Sequence, residues 1–108
     1  MSQSQATAQI SKTEQGLQLS GDLVYASVSN VVAEASDILK NHAGSSISID
    51  CKNLNKIDSA GLALLLEWKR VCIKQKKDYK VVGAKEKAVS LISTYKLSEI
   101  LGVPSSSK

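Results

Sequence analysis

The sequence contains no phenylalanine, one tryptophan and three tyrosines in 108 residues. Its core must therefore be built from aliphatic side chains, and it offers no aromatic platform on which nucleobases could stack. Histidine is nearly absent too, with His42 alone. A zinc site of the His/Cys type lacks ligands, and any Ser–His pair would have to use His42, which nothing places beside Ser59. The two cysteines, Cys51 and Cys72, lack CxxC spacing and fall on apolar faces, so they read as small hydrophobes in a reducing compartment. Neither a GxxxxGK[ST] nor a GxGxxG phosphate loop occurs. The first residues have no basic and apolar leader character, and no apolar run approaches membrane-span length. The expectation is a cytoplasmic protein without cofactor, metal or direct membrane insertion, and not an enzyme.

What is present suits one α/β domain. A chain of this length buries a single core without staples. No repeat or linker divides it, which predicts tails over 1–7 and 104–108 and a domain over 8–103. The net charge is +4, and Lys69, Arg70, Lys74, Lys76, Lys77 and Lys80 cluster in sequence. Such a cluster could meet phosphates or an acidic protein surface, or simply form a solvated helix end. No nucleic-acid motif accompanies it, so a nucleic-acid partner is not expected.

Apolar alternation predicts a strand over Ala8–Lys12, a turn at Glu14–Gly16 and a second strand over Leu17–Gly21. Val24, Val28, Val31, Val32, Ala35, Ile38 and Leu39 recur at helical spacing, predicting a helix over Leu23–Lys40 ended by Gly44 as a left-handed cap. Ser45–Cys51 alternates as a strand with one polar face, so the sheet should be covered by helices on one side and partly open on the other. Lys52–Lys56 reads as a polar connection. A further strand is expected over Tyr79–Gly83. A third helix follows, with Ala88, Leu91, Ile92 and Tyr95 as its apolar stripe, then a short closing segment stopped by Pro104. Strands separated by helices call for right-handed crossovers. They imply a mixed, mostly parallel sheet of four to five strands with about three to four helices mainly on one face.

The stretch Ile57–Arg70 organises this arrangement. Asp58 and Ser59 are both suitable helix N-caps, so one of them should accept an N–H of the first turn. At about 100° per residue, Gly61, Leu65, Trp68 and Cys72 share the core side, with Leu62, Leu64, Val71 and Ile73 flanking them. Ala63, Glu67, Arg70 and Lys74 share the wet side. Gly61 would let the helix start close to a neighbouring strand, or is an incidental small residue. Asp50 and Asp58 could be imagined as a carboxylate pair. The plainer assignment makes Asp50 an open-face strand residue and Asp58 a cap.

The element order, with Ile47-Ser48-Ile49-Asp50 leading to Ile57-Asp58-Ser59-Ala60-Gly61-Leu62, resembles the STAS domain family over about Ala8 to Val103. Tyr95-Lys96-Leu97 and the run Ala63-Leu64-Leu65-Leu66 bring it closer to the MlaB branch, accessory subunits of a phospholipid ABC transporter, than to anti-sigma-factor antagonists. In the antagonists that act as phosphoswitches, the phosphorylated serine directly precedes the glycine. Here that position is Ala60, which has no hydroxyl, while Ser59 matches the Thr or Ser that MlaB-type sequences place after the aspartate. The resemblance implies a constitutive contact with an ABC-transporter ATPase, and through it with a membrane permease, peripheral to the inner membrane. The docking face it implies comprises Asp58, Ser59, Ala60, Gly61, Ala63, Glu67 and Arg70 with Ser93 of the third helix. Two other functions are open. One is an anti-sigma-factor antagonist that binds an anti-sigma kinase and is phosphorylated on Ser59. The other is a nucleic-acid binder using the lysines between Lys69 and Lys80.

Overall fold

A computed structural model describes residues 7–103. Four strands form one sheet in the order β1 (Ala8–Thr13), β2 (Gly16–Leu23), β3 (Ser46–Ile57) and β4 (Asp78–Val82). The β1–β2 hairpin is antiparallel, and β2–β3 and β3–β4 are parallel. Four α-helices accompany them: α1 (Val32–Asn41), α2 (Ser59–Lys74), α3 (Glu86–Thr94) and α4 (Ser98–Leu101). The register explains the single core. Leu17 lies opposite Ile49, and Ile49 opposite Val81, so these aliphatics form a row on one face. They bury against Ala35 and Leu39 of α1 and Leu62, Leu65, Trp68 and Cys72 of α2. Gln18, Asp50 and Val82 form the matching row on the other face, where the Gln18 amide donates to Asp50. The polar face thus follows from strand alternation, and the mixed, mostly parallel order from the hairpin and the two helical crossovers.

Several boundaries differ from the periodicity. The helix expected from Leu23 begins only at Val32, because β2 continues through Leu23 and a turn and a short 3-10 segment (Val28–Asn30) intervene. Fully buried Ser27 holds this stretch: its hydroxyl accepts from the Val24 N–H and lies against the carbonyls of Asp22 and Val24. Such side-chain bonds compete with helix formation. The expected connection Lys52–Lys56 is instead strand, because it pairs with the extension of β2, Asn53 opposite Ser20 and Ile57 opposite Leu23. Register shifts that add a residue on β3 break the alternation there, and Lys52 and Asn53 are both exposed.

Gly44 is not a left-handed cap. After Asn41 the chain turns directly to extended backbone at His42, whose ring pairs with the Ser46 carbonyl. Ile73 and Tyr95 lie outside the core, at 58% and 51% exposure. Ile73 is in the last turn of α2, and Tyr95 has already left the helical path as the cap of α3. Among the closing residues Leu101 and Val103 are buried but Ile100 is not. That segment ends at left-handed Gly102, where the N–H groups of Gly102 and Val103 return to Glu99 and Ser98. Pro104 and the tail assignments over 1–6 and 104–108 lie outside the described residues.

Candidate functional site

The parallel strands bring three exits to one end of the sheet, where such folds ordinarily present their sites. The loop after β2 carries Val24 and Tyr25, the β3–α2 junction carries Asp58 and Ser59, and the first turn of α3 carries Lys87. Asp58 ties two of these together. One carboxylate oxygen accepts from the N–H groups of Ala60 (3.0 Å) and Gly61 (3.1 Å). The other accepts from the Tyr25 N–H (3.0 Å). Asp58 is therefore both the cap of α2 and the anchor of the preceding loop.

Gly61 brings the two elements together closely. A Cβ at this position would overlap the Leu23 carbonyl oxygen and lie 2.7 Å from the Ile57 side chain. Of the two accounts of this glycine, the packing one holds. It is buried, so its role lies in the approach of helix to strand.

With Asp58 as the cap, Ser59 becomes the first helical residue. It is exposed, and among the described residues its hydroxyl has no hydrogen-bond partner. Ser59, Ala63, Glu67 and Arg70 fall in one exposed row along α2, with Ala60 half-buried beside it. Glu67 and Arg70 pair loosely at 3.7 Å with both side chains largely in water, an ion pair of small net energy. Ser93 is half-buried in α3, which packs on α4 and β3 and has little contact with α2. The residue of α3 that reaches the Asp58 end is Lys87, about 9 Å from Ser93 along the helix axis.

A cleft of about 380 Å³ opens at this end, lined by Val24, Asn55, Lys56, Ile57, Asp58 and Lys87. Beside it Tyr25 is 82% exposed, the most exposed large apolar side chain described. Sequence reasoning passed over Tyr25, Lys56 and Lys87. The available signal for Tyr25 was slight: an aromatic ring at the edge of an otherwise aliphatic helical stripe.

Asp50 stands apart from this end. It accepts from the Lys52 N–H (2.9 Å) and from Gln18 on the open face, and eight residues of strand, roughly 25 Å, separate it from Asp58. The two carboxylates do not form a pair. Among the described residues no group of three or more His, Cys, Asp or Glu side chains gathers at one point, and no helix is long and apolar enough to cross a membrane. Both cysteines are free and buried, and burial pushes the Cys51 thiol up to about 12, with nearby Asp50 adding to the shift. Tyr79 is raised well above its ordinary value, chiefly by burial, and donates its hydroxyl to the Leu65 carbonyl (2.9 Å).

No curated protein matches the chain in sequence. Among solved structures, the unphosphorylated form of the anti-sigma factor antagonist SpoIIAA shares this fold, with a TM-score of 0.68 over 85% of this chain and 83% of that one. At 18% identity the likeness speaks for the fold alone. A family model described as "Mlab, STAS domain" matches residues 6–102. That span takes in all four strands and all four helices. The chain belongs to the STAS domain family, in its Mlab group.

Proposed function

We propose that this chain is a non-catalytic accessory subunit that docks, through the capped end and outer row of α2, on the cytoplasmic ATPase of an ABC transporter moving phospholipids. In that role it contributes to outer-membrane lipid asymmetry and lies at the inner membrane only through its partner. The observation that carries this reading is the division of labour at the α2 start. Asp58 does all the capping, and Ser59 presents an uncommitted hydroxyl to solvent. The adjoining Ala60 cannot carry a phosphoryl group. A hydroxyl in such a place suits a standing hydrogen bond to another polypeptide. Nucleotide is held by the partner, and the subunit favours one ATPase conformation because it contacts that conformation better.

The test is affinity capture of the partner ATPase by Ser59→Ala. One interfacial hydrogen bond is worth about 1 kcal/mol, so capture should weaken roughly fivefold while the melting temperature stays unchanged. Undiminished capture and transport would remove Ser59 from the interface. The exposed hydroxyl in the first turn of α2 also gives a specific ground for the second reading, an anti-sigma-factor antagonist phosphorylated on Ser59, because a phosphate is favoured at a helix N-terminus. Incubation with candidate kinases followed by intact-mass measurement separates the two: phosphorylation mapped to Ser59 supports the antagonist, and an unmodified chain supports the constitutive subunit.

A further inference from the structure

The cleft beside Ser59 has a definite character. Val24 and Ile57 give it apolar walls, Asn55 supplies an amide, and Lys56 and Lys87 supply two exposed ammonium groups from different elements. Neither lysine is in an ion pair among the described residues, where Arg70–Glu67 is the pair present. Asp22 stands opposite Lys56 in the β2–β3 register without pairing with it. The carboxylate that lines the cleft, Asp58, is engaged on both oxygens by the N–H groups of Ala60, Gly61 and Tyr25. Two first-turn donors of α2 are thereby occupied, so the attraction for an anion comes chiefly from the lysines. Tyr25, next to Val24 in the chain and held by its own N–H to Asp58, exposes its side chain to solvent.

We propose that this cleft receives an acidic segment of the partner protein, with a Glu or Asp carboxylate between Lys56 and Lys87 and a neighbouring apolar side chain against Val24, Ile57 and Tyr25. The assignment rests on the reading of this end as a docking surface and adds the chemistry of what docks there. A carboxylate fits better than a phosphate. Two N–H groups of the first turn of α2, those of Ala60 and Gly61, are already held by Asp58, which leaves little of the helix start to cradle phosphate oxygens. Apolar walls beside the lysines also favour a polypeptide over a bare ion. Exposed aromatic rings such as that of Tyr25 are enriched at protein interfaces.

The probes are acetyl-Leu-Glu-Leu-Glu-amide, its Leu-Gln-Leu-Gln counterpart and inorganic phosphate, each titrated into the whole chain and followed by amide chemical shifts. The Glu peptide should give saturable shifts at Val24, Tyr25, Ile57 and Lys87 that weaken as salt rises. Lys56→Gln with Lys87→Gln should weaken that binding about tenfold, as loss of two charge contacts predicts, while Lys74→Gln with Lys76→Gln leaves it unchanged. Both cleft lysines are exposed, so unchanged shifts elsewhere will show that the variant is folded. The proposal is overturned if the Glu peptide produces no saturable shifts, if the Gln peptide binds equally well, or if phosphate alone reproduces the pattern more tightly. Sensitivity to Lys74 and Lys76 instead of the cleft pair overturns it as well. Failure here with Ser59→Ala still weakening ATPase capture removes only the acidic segment. Peptide binding with capture unaffected by Ser59→Ala removes the role of that hydroxyl and leaves the cleft.

Discussion

Asp58 carries more of the structure than its place as a cap suggests. Its three accepted hydrogen bonds join the start of α2 to the loop after β2, and the Tyr25 bond spans 33 residues of sequence. Asp58→Ala should therefore cost about 2 kcal/mol in urea unfolding, the upper end of the range for cap loss, because it also frees the Tyr25 N–H. The Tyr25 amide should exchange faster with solvent in that variant, whereas loss of a cap alone would leave it protected. Two lysines show a different residue-scale feature. Lys76 and Lys96 have φ of 59° and 60°, each one residue beyond the cap of its helix. Their N–H groups, and those of Lys77 and Leu97, return to carbonyls of the last turn, closing a motif that ordinarily uses glycine. Lys96→Gly should accordingly stabilise the protein by about 1 kcal/mol, read as a higher urea midpoint, since it relieves a left-handed side chain. These lysines were not legible in the sequence, which marks such turns by glycine and drew attention to Gly44 instead.

Among the elements, α2 was the most readable. Its length and apolar side follow from a spacing that nothing interrupts, and Gly61, Leu62, Leu65, Trp68 and Cys72 are its buried residues. Gly61→Ala forces a methyl group into the Leu23 carbonyl, and neither backbone can yield without disturbing Asp58. It should destabilise the domain by about 1–3 kcal/mol, in the range for overpacking, although alanine is the better helix former. A stabilised Gly61→Ala variant would contradict the close approach of helix to strand. The β2–α1 connection was misread for a physical reason. Valines at Val24, Val28, Val31 and Val32 satisfy a helical period, but the bonds that decide the conformation come from buried Ser27 and from distant Asp58. Periodicity registers burial and is blind to such tertiary hydrogen bonds. The second half of β3 was missed similarly. Its strand character comes from pairing with β2 across register shifts, and its own side chains are mostly polar. The candidate site was half legible: the Asp-Ser junction stands out in sequence, whereas Val24, Lys56 and Lys87 come together only through the parallel order of the strands.

The whole molecule has one covered sheet face, one polar face and a single aliphatic core in which Cys51 and Tyr79 are buried. Burial, the larger cause, holds both in their protonated forms. On unfolding, the thiol releases its proton near 9.0 and the phenol near 10.0, whereas the folded thiol keeps its proton up to about 12. The unfolded state then binds fewer protons than the folded one, so this stability is fully present below pH 9 and is lost as pH rises toward 12. The urea midpoint should fall across that window, and less steeply in Cys51→Ala; equal slopes would contradict the burial of the thiol in the folded state.

At this scale the protein presents one candidate docking end, and the central proposal is that its exposed hydroxyl grips another polypeptide without being modified. The most direct measurement is affinity capture of the transporter ATPase from native cells by the wild-type chain and by Ser59→Ala, with intact-mass analysis of the captured chain. The account predicts that unmodified wild type retains the ATPase, and that Ser59→Ala retains several-fold less at the same melting temperature. Recovery of a chain phosphorylated on Ser59, with no transporter component beside it, would contradict the account.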